Sequence, residues 1–105
     1  MNDFARYDRY LVAHLMESID ELSRLVAQPS VSAQNWGLRE FAALVGEQLK
    51  QRGFAVEIDE TGGAPVVFAE RAGKSEKTLI IYNHYDVQPA EPLELWETPP
   101  FVPTL

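Results

Sequence analysis

The chain has 105 residues, with 9 Lys and Arg against 16 Asp and Glu, a formal net charge of −7 and no cysteine. At this length one hydrophobic core is feasible, burying about 65% of the extended-chain surface, and two independent domains are excluded. Hydrophobic residues at 46%, charged at 24% and aromatic at 10% describe an ordinary globular sequence, away from the disordered and collagen-like extremes. No apolar run approaches the length of a membrane span, and Asp3 and Asp8 stand where a signal peptide would be basic, so neither feature is expected. Without cysteine, disulfides, thiolate zinc sites and cysteine nucleophiles drop out, a cytoplasmic setting is expected, and any metal would need His and carboxylate ligands. The basic residues end at Lys77, and the acidic remainder contains Asp86, Glu91, Glu94 and Glu97; such a chain repels a phosphate backbone, so no nucleic-acid partner is expected.

From Phe4 to Ala27 the apolar positions Phe4, Tyr7, Leu11, Leu15, Ile19, Leu22 and Val26 recur at three- and four-residue steps, the period of a helix that buries one stripe. Pro29 ends it, and Ser30 and Ser32 read as cap or turn residues. A second helix is expected to start with Asn35 as its N-cap, to turn Phe41, Leu44, Val45 and Leu49 inward, and to stop at Gly53 in the left-handed conformation, with Gly46 weakening it slightly. Phe54, Val56 and Ile58 alternate with polar or small residues as a strand with one wet face. Thr61-Gly62-Gly63 turns the chain into a second strand, Val66–Ala69, opened by Pro65, and residues 71–77 form a loop. Thr78-Leu79-Ile80-Ile81-Tyr82 reads as a third strand, buried on both faces. Five of the seven prolines fall beyond Asp86, so residues 87–105 are expected to be irregular and to lay Leu93, Leu95, Trp96, Phe101 and Val102 on apolar surface. The fold class is therefore α/β, with two helices followed by three strands.

The most informative place is the end of the third strand, Tyr82-Asn83-His84-Tyr85-Asp86-Val87-Gln88-Pro89, because open α/β sheets put their sites at the carboxyl ends of strands. His84 and Asp86, two apart in extended chain, point to one side. One of them can bind a metal while the other orients it; the competing reading is a hydrogen-bonded pair at a strand end. His14 is read as a boundary imidazole and is not assigned to a site. Gly62-Gly63 lacks phosphate-loop spacing, and Ser30, Ser32 and Ser75 lack a nucleophile elbow. Trp36 and Trp96 read as packing residues.

The run from Leu79 to Pro92, with Trp96-Glu97-Thr98-Pro99-Pro100-Phe101, resembles a segment of the dinuclear zinc metallopeptidases, the family of carnosinase-like dipeptidases, carboxypeptidase G, aminoacylase, acetylornithine deacetylase and succinyl-diaminopimelate desuccinylase. Tyr85, Gln88 and the Pro-Pro-Phe stretch look most like the dipeptidase branch. The first helix, Gln28-Pro29-Ser30-Val31-Ser32 and Arg52-Gly53-Phe54 fit as well. The resemblance implies that His84 is a zinc ligand and that Asp86 is the catalytic-site aspartate holding its ring; Asn83 stands where many members have a small residue.

Family members are several times longer. The resemblance therefore implies that residues 1–105 are the N-terminal portion of a larger three-layer catalytic domain with a mixed sheet, ending at a truncation point at Leu105. The remaining ligands and the glutamate base would lie elsewhere. It further implies two zinc ions, hydrolysis of a dipeptide or N-acyl amino acid, and dimerisation through an inserted domain absent here; the 105 residues alone would be inactive. The alternative is a stand-alone, non-catalytic α/β binding module with a proline-rich docking tail. It requires a compact monomer without exposed apolar surface.

Overall fold

A computed structural model of the chain describes residues 3–105. Two helices, α1 (Phe4–Ala13) and α2 (Leu15–Ala27), occupy the span expected to be one. Asp3 caps α1 by accepting the Arg6 amide. The interruption is the single residue His14, whose Nδ1 lies 2.8 Å from the Tyr10 carbonyl oxygen and whose ring stacks on Tyr10 with centroids 3.9 Å apart. The helical ladder runs through it, because the His14 amide still reaches the Tyr10 carbonyl and the Ser18 amide the His14 carbonyl. The stripe along this helical pair differs from expectation in one respect. Phe4, Tyr7, Leu11, Leu15 and Leu22 are each more than half exposed, so most of that face has no cover among the described residues, and only its later part, at Ile19, is half-buried.

Gln28 takes the extended conformation imposed by the following proline. Beyond it, Val31 exchanges two hydrogen bonds with Trp36, closing a short loop around a 3-10 turn at Ser32–Gln34. Asn35 sits in the left-handed region inside that loop, so it does not cap the next helix; Gly37 does, at φ 75°. A Cβ on Gly37 would lie 2.0 Å from the Pro29 carbonyl oxygen, which leaves no other residue suited to the position.

Helix α3 (Leu38–Gln51) ends as its sequence suggests. Gly53, at φ 83°, donates to the Lys50 carbonyl while Phe54 donates to Leu49, the paired bonds of a Schellman cap. Strands β1 (Ala55–Asp59) and β2 (Val66–Glu70) pair antiparallel, with Val56 opposite Ala69 and Ile58 opposite Val67. Gly46 lets α3 sit down on this ribbon, since a Cβ there would meet the Ile58 Cδ1 at 3.3 Å and the Val56 Cγ1 at 3.4 Å. A weak point of the helix is thus a point of close contact with the sheet.

The α/β class and the order of the first elements hold, but the third strand does not form. Residues 78–82 carry no ladder, and Leu79, Ile80, Ile81 and Tyr82 are 84%, 84%, 76% and 88% exposed. An interior strand is stabilised by neighbours along both edges and over both faces, and nothing among the described residues supplies either.

After Asp86 the chain has one 3-10 turn, Leu93–Leu95. It returns toward the helices, placing Phe101 edge-on to Trp36 and the Trp96 indole N–H on the Ala90 carbonyl. Leu93, Leu95 and Val102 remain mostly exposed, so only part of the expected apolar cover forms. The buried set is small: Ser30, Val31, Leu38 and Ala42, flanked by Gly46 and Pro65. The radius of gyration is 16.8 Å, against about 13 Å for a compact domain near this length, so this chain does not close on itself. No helix among the described residues is long and apolar enough to cross a membrane.

Candidate metal-ligand site

His84 and Asp86 meet as their spacing requires. The His84 Nδ1 lies 3.0 Å from the Asp86 Oδ1 and 3.0 Å from the Asp86 carbonyl oxygen. Both neighbours are acceptors, so Nδ1 carries the proton and donates. In the neutral ring this leaves the Nε2 lone pair free, on a side chain that is 77% exposed. An imidazole so arranged has the tautomer and orientation of a metal ligand held by a carboxylate.

The partners of Asp86 come from far away in sequence. The Ser32 hydroxyl donates to the Asp86 Oδ2 at 2.8 Å, so each carboxylate oxygen has its own donor. Together these bonds hold the Asp86 carboxyl below the usual carboxylate range, with the Ser32 bond the larger cause and the His84 bond the next. Neighbouring residues are tied by the same segment. The Ser30 hydroxyl donates to the Tyr85 carbonyl at 2.7 Å, and the Val87 amide donates to the Ser30 carbonyl at 2.8 Å, in a parallel bridge between Val31 and Val87. Val31 therefore stands between Trp36 on one side and Val87 on the other, fully buried.

Tyr85 faces the opposite way from the pair. Its ring stacks on Phe41 with centroids 5.7 Å apart and 9° between planes, and its hydroxyl donates to the Pro65 carbonyl at 2.5 Å. Burial, and after it the charge of Glu60, raise the Tyr85 phenol above its ordinary value. Alternation along extended chain thus aims 84 and 86 outward while 85 anchors the segment to α3 and to the start of β2.

Ser30 and Ser32 were expected as caps or turn residues of the chain after the first helix. Neither makes a side-chain cap; both hold residues 85–86. The spacing Ser-x-Ser does not announce this, because Ser32 opens the 3-10 turn and both partners lie more than fifty positions away in sequence. His14 stays with Tyr10, away from the site.

An apolar hollow of about 490 Å³ opens on the other side of this segment, lined among others by Leu25, Phe41, Tyr85, Val87, Trp96 and Phe101. His84 and Asp86 are not in its wall. Among the described residues no three His, Cys, Asp or Glu side chains gather as a metal cluster. The donors present therefore fit one imidazole ligand with its orienting carboxylate, short of the three protein ligands a catalytic zinc requires.

No protein-family model matches the chain. It is similar to succinyl-diaminopimelate desuccinylase of Janthinobacterium sp. (strain Marseille), 39% identical over 80 residues that make up 76% of this chain and 20% of that protein. The corresponding enzyme of Bordetella avium (strain 197N) is 33% identical over 86 residues, 82% of this chain and 22% of that protein. In three dimensions the chain resembles the M20 family metallo-carboxypeptidase Sso-CP2 from Sulfolobus solfataricus, with a TM-score of 0.76 and 40% identity, over 80% of this chain and 20% of that one. The chain spans about a fifth of the length of the relatives it matches. Sequence and backbone agree over about four fifths of these residues, and on that agreement the chain belongs to the M20 metallopeptidase family.

Proposed function

We propose that this chain contributes a zinc ligand, His84, and its positioning carboxylate, Asp86, to the hydrolysis of an amide bond in a small peptide or N-acyl amino acid. The observation that carries the reading is the His84 Nδ1 held between two acceptors of Asp86, which leaves Nε2 bare and outward. Zinc, when bound, would polarise the amide carbonyl and lower the pKa of a coordinated water toward about 7. The work of this chain's own residues is to present one nitrogen in one tautomer and to keep the carboxylate behind it ionised. In this reading residues 1–105 are the N-terminal portion of the catalytic domain, residues 87–105 its irregular proline-rich segment, and the remaining ligands and the base lie on other parts of the whole protein.

Within that class, dipeptides are the proposed substrates, on the likeness of Tyr85, Gln88 and Pro99-Pro100-Phe101 to the dipeptidase branch. The desuccinylase relatives make N-succinyl amino acids the competing substrates. A cytoplasmic homodimer completes the proposal. The binding-module alternative is disfavoured by the open shape and the exposed 79–82 segment.

The deciding experiment assays the whole protein, stripped of metal and reloaded with zinc, against dipeptides and N-succinyl amino acids. Zinc-restored cleavage of dipeptides is expected, with Asp86→Ala reducing activity or zinc affinity roughly 10- to 100-fold. Preference for the succinylated substrates would move the reading to that branch. Turnover that is indifferent to zinc, or an unaffected Asp86→Ala, would defeat it. The 105-residue chain by itself is expected to be silent.

A further inference from the structure

Asp86 can serve His84 only if its carboxylate keeps one rotation, and on exposed chain a carboxylate turns freely unless something holds its second oxygen. The Ser32 hydroxyl does so. It donates to Oδ2 at 2.8 Å, while Oδ1 stands 3.0 Å from the His84 Nδ1. The serine is itself fixed. Val31, the preceding residue, is fully buried, its amide and carbonyl are both taken by Trp36, and it lies in register with Val87. Ser30 closes the other side by donating to the Tyr85 carbonyl. Residues 30–32 thus form a rigid rail that grips residues 85–87 at three successive points, and the outermost point is the Ser32–Asp86 bond.

The order of the three side chains, Ser32 to Asp86 to His84, excludes a nucleophilic role for this serine. In a nucleophilic triad the imidazole lies between the hydroxyl and the carboxylate and removes the hydroxyl proton. Here the hydroxyl proton points at the carboxylate, and the imidazole has no contact with the serine oxygen among the hydrogen bonds of the site.

We infer that Ser32 is a positioning residue of the zinc site, acting on His84 through Asp86. It holds the carboxylate so that Oδ1 keeps the Nδ1 proton and Nε2 stays aimed outward. The inference rests on the proposed role of His84 and extends it to a residue distant in sequence. A direct carboxylate partner of a ligand histidine accounts for roughly 10- to 100-fold in metal affinity, and a residue one bond further removed should account for less, about three- to tenfold.

The test compares Ser32→Ala, Ser32→Thr and Ser32→Val with His84→Ala in the whole protein. Threonine keeps the hydroxyl and valine replaces it with a methyl of similar shape, so their difference isolates the hydrogen bond from packing. Zinc affinity is measured by competition with a chromophoric chelator. The His84 tautomer is read in the zinc-free protein from imidazole nitrogen spectra, and folding is checked by circular dichroism.

Ser32→Val and Ser32→Ala are expected to bind zinc about three- to tenfold more weakly and to show His84 as a tautomer mixture, with threonine restoring both. Unchanged affinity and a single tautomer in the valine variant, alongside lost affinity in His84→Ala, would overturn the role of Ser32 and leave the zinc reading standing. Unchanged affinity in His84→Ala would overturn the zinc reading and this inference with it.

Discussion

Gly37 stands so close to Pro29 that a Cβ on the glycine would lie 2.0 Å from the proline carbonyl oxygen. That contact sets where α3 begins relative to the Ser30–Ser32 rail, and through the rail it sets where Tyr85 and Asp86 lie. A side chain at position 37 must both adopt φ 75° and push backbone, which cannot yield as a flexible side chain can. Gly37→Ala is expected to destabilise the chain by about 2 kcal/mol or more. Gly63→Ala, where the nearest atom is the Thr61 Oγ1 at 3.9 Å, should stay within about 0.5 kcal/mol. Denaturant midpoints for the two variants check this, and equal midpoints would contradict the close approach.

Asp86 gives the site a pH signature that does not depend on metal. Its carboxyl is held below the ordinary range by the bonds from Ser32 and His84, so the folded chain favours the ionised form. The stability this contributes is complete above the ordinary carboxylate value of about 3.8 and is lost as pH falls through the lower folded value. Asp86→Asn has no such proton to take up. The difference in melting temperature between the wild-type chain and Asp86→Asn should therefore shrink as pH is lowered from about 6 through the acid range, and added salt should reduce it. A difference that stays constant with pH would show that the carboxylate is not held by these bonds.

Much of this arrangement is legible in the sequence alone, and the reason differs from element to element. The 3.6-residue period of 4–27 and the alternation of Val56 and Ile58 are local signals; the second produced its strand, and the first produced helix over the expected span, divided in two at His14. Gly53 closes α3 because a left-handed cap needs only its own few residues. His84 and Asp86 find each other because two positions of extended chain suffice. The role of Ser30 and Ser32 was not legible. Their partners are more than fifty positions away, and a Ser-x-Ser beside a proline has the composition of a turn. Asn35 failed as a cap for a related reason, since the return of Trp36 to Val31 decides the turn there.

Residues 78–82 have the composition of an interior strand and form none in this chain. An unbroken run such as Leu79-Ile80-Ile81-Tyr82 encodes burial on two faces without encoding by what, and in this chain all four side chains stand in solvent. No proline, glycine or charge interrupts them, and such a segment recruits other strands unless it is covered. The 105-residue chain alone is therefore expected to bind a hydrophobic dye and to self-associate with rising concentration. Ile80→Lys places a charge in the centre of the segment and should lower both, without changing the helical signal of α1 to α3. In the whole protein, where the proposed reading buries this strand, the same substitution should be strongly destabilising, because it puts an unpaired charge in the interior. Dye fluorescence and sedimentation of the short chain, set beside thermal unfolding of the whole protein, read the two effects separately. A lysine tolerated in the whole protein would mean that residues 78–82 remain on the surface there too, and the expectation of an interior strand would then fail.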